Sequence, residues 1–462
     1  MRHLFSAMLI AASLHAQTPA IHVEDIVESV RQRYPLLLAA MADRDIAQAD
    51  VLTAEGQFDL TLRSRLDTDS IGFYENRRFD SWVEQPLSFQ GMSFYSGYRL
   101  GDGAFAPYDG KLATRSLGEI RSGFRLPLLR DREIDSRRGE LSKAKIGRKI
   151  ADLSVDQQRL VVLQTAVSRY WSWVALGRRL GITREVLQVA EARQKLLEDG
   201  VREGQLPRIE AIDNQRAILQ RRSAAVEAER GFQQSSIELS LFYRNSSGSP
   251  VVPTMEQLPG RFPNSVADPP PDIEADIKTA LQRRPEIGRL EALADQNEVD
   301  VRLARNGTKP AVSVVAGFVS ESGDGVSVRR GPQEFKAGLS FDLPLQNRSA
   351  RGKLAAVQAR ARQVGIRLNF LRDQTAAEVK DAASAVAAAQ ERLRLLGDEV
   401  GVSRELEEAE RTRFDVGDGT LFMLNLREQA TMDAAVREAL ANADYQRALA
   451  SYEYATGALL NR

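Results

Sequence analysis

The sequence contains no cysteine and only three histidines, which are His3, His15 and His22. Without cysteine the chain can form neither disulfides nor thiolate metal sites, and it cannot carry a lipid on a cysteine side chain. With so few histidines, histidine metal clusters and Ser-His-Asp chemistry have almost no residues to use. No Walker motif and no dinucleotide-binding glycine motif is present. We therefore expect no metal, no cofactor and no enzymatic activity.

The chain also lacks a net charge, with 63 basic and 63 acidic residues among 462. Such a balance implies neither nucleic acid nor an anionic lipid surface as a partner. Aromatic residues make up only 6% of the chain, whereas Ala, Arg, Gln, Leu and Glu dominate residues 132–243 and 347–460. This composition is typical of long helices and coiled coils.

Long apolar runs are absent except at the N-terminus. Met1-Arg2-His3 is a short basic start, residues 4–14 are largely apolar, and Ala16-Gln17 is a suitable cleavage point. These features predict a secretory signal peptide over residues 1–16. After it, no uncharged apolar run reaches the roughly 18 residues that a transmembrane helix needs. We therefore expect an exported chain that no helix anchors.

The rest of the chain is organised as two repeats, residues 17–243 and 272–462, joined by a connector rich in Ser, Gly and Pro over residues 244–271. Each repeat is predicted to contain a short helix, two strands, a long helix, a glycine-marked turn and a second long helix. A duplication of this size governs the fold. The predicted strands cover about residues 57–68, 118–129, 311–319 and 334–345, and the predicted long helices about residues 132–203, 207–243, 347–416 and 420–457.

The four predicted strands alternate apolar and polar side chains over about ten residues, a length that lets a tilted strand cross a bilayer. Their lipid-facing residues would include Phe58, Leu60, Leu62, Phe124, Leu126, Phe335, Leu339 and Phe341. Four strands cannot close a barrel, and open sheet edges are excluded in lipid. A membrane interpretation therefore requires several chains that share one barrel. The same alternation also fits the half-buried strands of a soluble sheet.

Residues 69–118, between the first two strands, form a tract rich in aromatic residues and glycine. The second repeat has only a glycine-rich turn at this place, from Glu321 to Gly331. We interpret the longer tract as an extracellular hairpin or loop. Its aromatic residues fit an aromatic belt and ordinary hairpin packing equally well.

The long helices are too charged to enter lipid. In the first of them, two seams have coiled-coil spacing, formed by Ile182, Val186, Val189 and Leu196 and by Leu180, Leu187, Ala190 and Leu197. Two seams imply a neighbour on each side, although Arg193 interrupts the first seam. A rod-like coiled coil has the same periodicity. A periplasmic scaffold or interaction protein without channel activity is therefore the alternative, and a secreted hydrolase is a third class.

The signal peptide, the duplicated units and the marked turns together resemble the TolC-type outer-membrane channel family over nearly the whole chain. The most specific segments are Leu126-Pro127-Leu128-Leu129, Leu343-Pro344-Leu345 and the turns at Gly204 and Gly417. The resemblance implies a mainly α protein with a β-barrel part. In that fold, a homotrimer forms a twelve-stranded outer-membrane β-barrel, four strands from each chain, continued by a periplasmic α-helical barrel.

The resemblance also implies a function and partners. The chain would be the passive exit duct of a tripartite efflux or type I secretion system, located in the outer membrane with a long periplasmic extension. Its partners would be outer-membrane lipid, a periplasmic adaptor protein and an inner-membrane transporter of the RND or ABC type. Adaptor hairpins would dock at Gly204 and Gly417, the tips of the helix pairs. The candidate entrance residues are Glu210, Asp213, Phe414, Met423 and Leu426.

In the resembled family, aspartates six and nine positions after the second turn glycine form a ring that narrows the entrance. Here those positions hold Met423 and Leu426. The equivalent positions of the first repeat hold Glu210 and Asp213, so the acidic ring could lie there instead. Alternatively, both carboxylates only begin a helix, where the helix dipole favours acidic residues.

Overall fold

The computed structural model of the chain describes residues 19–109, 112–263, 272–324 and 333–461. The predicted signal peptide, part of the connector and most of the glycine-rich turn lie outside the described residues. The chain divides into two compact units. One unit comprises the chain up to Leu38, Gln158–Arg283 and the chain from Thr375 onward, and the other comprises Ala39–Gln157 and Arg284–Gln374.

The described residues form eight α-helices, and four of them are long. The helices are α1 (Val23–Arg33), α2 (Pro35–Glu55), α3 (Ser136–Arg202), α4 (Arg208–Ser240), α5 (Ile273–Arg283), α6 (Pro285–Gly307), α7 (Arg348–Asp415) and α8 (Leu421–Thr456). Short 3₁₀ turns are Gly56–Phe58, Pro107–Asp109, Met255–Gln257 and Ala458–Asn461. In the described ranges, no helix has an apolar stretch long enough to cross a membrane.

Capping residues mark the start of two long helices, α3 and α8. Asp135 precedes α3, and its Oδ1 accepts a hydrogen bond from the backbone N–H of Arg138 at 3.2 Å. The helix that we predicted from residue 132 therefore begins only at Ser136, after its acidic cap. At the start of α8, the hydroxyl of Thr420 accepts from the backbone N–H of Met423 at 3.3 Å.

The described strands form one antiparallel sheet of six strands in simple sequence order. The strands are β1 (Thr61–Asp69), β2 (Asn76–Pro86), β3 (Ser93–Gly103), β4 (Glu119–Pro127), β5 (Ala311–Glu321) and β6 (Gln333–Asp342). The four predicted strands are present as β1, β4, β5 and β6. The tract over residues 69–118 adds the hairpin β2–β3, which lies between β1 and β4 in the sheet.

The first strand begins later than its sequence pattern predicts. Gly56–Phe58 form a 3₁₀ turn, in which the N–H of Asp59 donates to the carbonyl of Gly56 at 3.2 Å. The strand assignment of Phe58 and Leu60 is therefore wrong, because β1 starts only at Thr61. A glycine directly after α2 allows this tight turn, and the period-two alternation continues through it by coincidence.

The register of the sheet places most of its large apolar residues on one face. Leu62 lies opposite Val83, and Phe318 lies opposite Phe335. On this face, the large apolar side chains of the two edge strands are strongly exposed, with Leu62 at 69%. The other predicted lipid-facing residues of the strands, Phe124, Leu126, Phe335, Leu339 and Phe341, lie on the same face.

The main apolar core lies in the unit that contains the C-terminal part of α3. Trp173 and Tyr170 are fully buried there with Leu163, Phe232 and Leu239. Their polar atoms have partners, since Trp173 Nε1 donates to Ser236 Oγ at 3.1 Å and the Tyr170 hydroxyl donates to the Ile21 carbonyl at 3.0 Å. Burial raises the pKa of the Tyr170 hydroxyl. The core thus holds α1, α3 and α4 together.

The two predicted seams of α3 differ in burial. Leu180, Ala190 and Leu197 of the second seam are buried within the chain. In the first seam, Val189 and Leu196 are exposed, and Leu196 is 73% exposed. The second seam therefore packs against other parts of the chain. In the first seam, the residues toward the C-terminal end of α3 are not covered.

Candidate functional site

The two helix-pair turns have the same backbone geometry. Gly204, after α3, has a φ of 74°, and Gly417, after α7, has a φ of 82°. The N–H of Gly204 donates to the Val201 carbonyl at 3.1 Å, and that of Gly417 donates to the Phe414 carbonyl at 3.0 Å. Glycine tolerates this left-handed conformation at a helix end better than other residues. A Cβ at either position would have no other atom within 4 Å, so both turns are sterically open.

The two acidic residues proposed for the entrance lie in the first turns of α4. Glu210 is in the first turn, three residues after the cap residue Pro207. Asp213 follows one turn later, and its carboxylate lies 3.3 Å from the guanidinium of Arg216. Because this pair compensates part of the charge of Asp213, the two carboxylates are electrostatically unequal.

The corresponding turn of the second repeat is apolar. Leu426 and Phe422 of α8 are about half exposed, at 49% and 55%. The backbone N–H of Met423 is bound by the cap residue Thr420, whereas Leu421 and Leu424 are buried against the chain. Phe414 is half-buried in the last turn of α7. This tip therefore presents apolar side chains where the resembled family has acidic ones.

A buried charge cluster close to these tips connects the four long helices. Arg193 of α3, Arg221 of α4 and Arg411 of α7 all lie around the carboxylate of Glu428 on α8. Arg193 also donates to Asn425 Oδ1 at 3.1 Å. The interruption of the first seam by Arg193 thus has a specific partner, which the sequence did not reveal. The visible signal was an arginine in an apolar seam.

The arginines keep Glu428 ionised although it is buried. Burial opposes the charged form, but the hydrogen bonds and charges of Arg193 and Arg221 outweigh this effect. The pKa of the Glu428 carboxyl is therefore lower than its ordinary value. Such a cluster is held by mutual compensation, since an isolated buried charge is strongly unfavourable.

No group of His, Asp and Glu side chains in the described part of the chain could hold a metal ion. The functional features are instead surfaces: a sheet with one apolar and one charged face, two open helix tips and a charge cluster that links the long helices. These features are suited to membrane insertion, docking and conduction.

Solved outer-membrane channels have the same fold. The chain aligns over 94% of its length with the CmeC outer membrane channel of Campylobacter jejuni, covering 85% of that chain at a TM-score of 0.65 and 14% identity. For the VceC outer membrane protein of Vibrio cholerae the coverages are 94% and 96%, with a TM-score of 0.63 and 15% identity. For the MtrE outer membrane channel of Neisseria gonorrhoeae they are 94% and 88%, with a TM-score of 0.66 and 15% identity.

A family model matches the C-terminal part of the chain. The model described as outer membrane efflux protein matches residues 277–458. Together with the fold, this match confirms the resemblance to the TolC-type channels and the mainly α fold with a β part. It also supports the predicted location in the outer membrane with a periplasmic helical part. No match is found among curated protein sequences.

Proposed function

We propose that this protein is an outer-membrane exit duct, which passively conducts substrates delivered by an inner-membrane transporter and its adaptor in a tripartite efflux or type I secretion system. The observation that carries the proposal is the two-faced sheet. Its exposed apolar face suits lipid, and its charged face suits a water-filled lumen. The family description and the names of the structural neighbours support an efflux channel.

The edges of the sheet require further copies of the chain. Among the described strands, β1 pairs only with β2 and β6 pairs only with β5, so both outer edges of the described sheet have unpaired backbone groups. Such edges cannot face lipid, because the bilayer core has no water to satisfy them. Pairing of β6 with β1 of the next copy would satisfy both edges. The resemblance to the TolC-type family supports a homotrimer as the closed assembly.

The helix tips are the proposed docking surface for a partner protein. The turns at Gly204 and Gly417 have open space where a side chain would begin, which suits close approach by a second protein. By resemblance to the family, that protein would be a periplasmic adaptor, which an inner-membrane transporter of the RND or ABC type would join. The exposed apolar side chains Phe422 and Leu426 would add contact area or narrow the entrance.

The alternative function is a periplasmic coiled-coil scaffold that binds partners without conducting. The exposed half of the first α3 seam would suit it, because coiled-coil partners cover such residues. The scaffold hypothesis, however, does not explain the exposed apolar face of the sheet. A large exposed apolar patch in water is an aggregation hazard, whereas in lipid it is the expected surface.

Fractionation of cells that export the full chain tests the proposal. We expect the protein in the outer membrane, extracted only by detergent and sedimenting as a trimer. The matched control is an exported chain with Leu62→Arg, which should stay in the periplasm. A wild-type chain that is released without detergent as a monomer would refute the duct and favour the scaffold.

A further inference from the structure

We infer that the hairpin β2–β3 is part of the transmembrane wall, so that each chain supplies six strands instead of four. The inference rests on the proposed function, because it assumes that the sheet enters a membrane. In a trimer, three chains of six strands would give an eighteen-stranded barrel, where the resembled family has twelve. On the charged face of the hairpin, Asp80, Trp82, Tyr95 and Arg99 would then line the lumen of the exit.

Strand pairing is the first observation that supports this. The hairpin pairs on both sides: β2 with β1 from Asn76 to Glu84, and β3 with β4 from Ser93 to Arg99. β1 and β4 have no direct pairing in the described sheet. If the hairpin were removed from the wall, both strands would lose their ladders. A loop that projects outside the membrane would leave β1 and β4 paired with each other.

The position of the hairpin turn is the second observation. Residues 87–92 connect β2 to β3 at the end of the sheet where β1 follows α2 and β4 leads into α3. Gln85 Nε2 donates to the Phe58 carbonyl at 2.6 Å, just before β1. A Cβ at Gly91 would overlap the backbone oxygen of Asp131, just before α3. The hairpin therefore runs the full height of the wall, to the end that carries the helices.

The apolar face continues across the hairpin. Phe79 of β2 lies between Leu66 of β1 and Leu100 of β3, and Phe94 of β3 lies opposite Phe124 of β4. The small polar residues on this face are paired across the two junctions. Ser64 and Ser81 hydroxyls lie 2.9 Å apart between β1 and β2, and those of Ser96 and Ser122 lie 2.7 Å apart between β3 and β4. Paired hydroxyls are the form in which serine is tolerated next to lipid.

On the charged face, ion pairs of hairpin residues connect the neighbouring strands. Asp80 of β2 is buried, and its carboxylate lies 2.9 Å from Arg78, 2.7 Å from Arg99 on β3 and 3.1 Å from Arg121 on β4. Arg78 reaches Asp67 on β1 at 2.7 Å. The network thus crosses four successive strands. A hairpin outside the wall would leave Arg121 without Asp80.

Glycines of the neighbouring strands make room for an aromatic ring of the hairpin. Tyr95 of β3 is in register with Gly123 of β4, which is in register with Gly317 of β5. A Cβ at Gly123 would lie 2.6 Å from the Tyr95 hydroxyl oxygen, and one at Gly317 would lie 2.9 Å from it. The ring therefore lies across two strands that belong to different repeats. Gly123 and Gly317 thus leave space for a side chain of β3, which supports a barrel wall that includes β3.

The number of strands determines whether the barrel can close and how wide it is. Six is even, so β6 of one chain and β1 of the next remain antiparallel around the ring. Barrel diameter grows roughly in proportion to strand number, so eighteen strands give a barrel about 1.5 times as wide as twelve. A wider outer exit would discriminate less by cargo size. The helical tips or the transporter would then determine which cargo passes.

Single-particle imaging of the full chain in lipid nanodiscs tests the inference. We expect a trimer with eighteen strands, in which β2 and β3 of each chain lie between β1 and β4 within the bilayer. A trimeric membrane barrel of twelve strands, with the hairpin outside, would overturn the inference and leave the proposed duct standing. A chain that never enters the membrane would overturn both.

Two adjacent residues of β2 give a second test. Val83 is on the apolar face and Trp82 is on the charged face. Val83→Lys should abolish outer-membrane assembly, and Trp82→Lys should preserve it. Since the chain has no cysteine, Val83→Cys and Trp82→Cys give unique thiols that report orientation without a charge. In membranes, a water-soluble maleimide should label Trp82→Cys at least tenfold faster than Val83→Cys, and equal labelling would overturn the inference.

Discussion

The guanidinium of Arg221 on α4 lies 2.9 Å from the carboxylate of Glu428 on α8, with the two side chains only 2% and 3% exposed. The residues are 207 positions apart in the chain and belong to different repeats. Since Arg193 of α3 binds the same carboxylate, one acidic side chain joins three long helices of one unit. This cluster holds the helices close to the tips where we place the entrance.

Glu428→Gln should destabilise the helical unit strongly. Among the ion pairs that the structure describes, Glu428 is the only acidic partner of the buried Arg221, and the substitution removes its charge. Breaking such a buried pair typically costs about 3 to 5 kcal/mol. The free energy of unfolding, measured by circular dichroism during chemical denaturation, should fall by about this amount. The matched control is Glu399→Gln, whose ion pair with Arg437 at 2.5 Å is half exposed and should matter by less than about 1 kcal/mol. Equal effects would contradict the special role of the cluster.

Charge on the apolar sheet face should block membrane assembly. Leu62→Arg on β1 and Phe341→Arg on β6 would each place a cation against lipid, at about 2 to 4 kcal/mol near the midplane of the bilayer. Three symmetric copies multiply that cost. Arg63→Leu is the control, since Arg63 is on the opposite face and its pair with Glu84, at 3.6 Å, is exposed. Quantitative immunoblots of outer-membrane fractions measure how much of each variant assembles. Similar amounts for substitutions on both faces would indicate a soluble sheet.

Gly417→Trp should abolish export without preventing trimer formation. Its φ of 82° disfavours other side chains, but the space around it is open, so the indole would project outward into an approaching adaptor. Gly417→Asn is the control, because asparagine tolerates this conformation and is small. Export of a reporter substrate and the amount of trimer are measured together. Loss of the trimer in Gly417→Trp would show a structural role for the glycine and refute the docking role.

The acidic residues of α4 should give the entrance mild cation selectivity. In a trimer, three copies each of Glu210 and Asp213 around a narrow mouth would attract cations, and salt would screen the effect. Glu210 should contribute more, because Asp213 is compensated by Arg216 at 3.3 Å. Reversal potentials across a salt gradient should shift toward zero in Glu210→Gln, and less in Asp213→Asn. No shift in either variant would place both carboxylates outside the mouth and leave an apolar entrance formed by Met423 and Leu426.

Local patterns predicted most of the fold. Period-two alternation located β4, β5 and β6, and the absence of proline indicated the long helices. The cap at Asp135 was not predicted, so the start of α3 was placed at residue 132 instead of Ser136. The start of β1 was placed too early because the alternation extends through Gly56–Phe58, where a hydrogen bond closes a turn instead. Pattern alone does not report such a turn.

The features that local patterns did not predict depend on distant partners. The sequence indicated an extracellular hairpin or loop over residues 69–118, but it did not predict that the hairpin β2–β3 pairs with β1 and β4 within the sheet. Its place in the wall depends on contacts such as that of Asp80 with Arg121, which are 41 residues apart. The partner of Arg193 is 235 residues away. An arginine in a seam indicates irregular packing, but it does not identify the carboxylate that binds it.

Conductance of the purified protein in planar bilayers tests the central claim most directly. The detergent-extracted trimer should insert and give discrete steps of ionic current, and the same preparation of Leu62→Arg, matched in amount, should give none. A well-folded wild-type protein that remains water-soluble and produces no current would contradict the account of this chain as an outer-membrane duct.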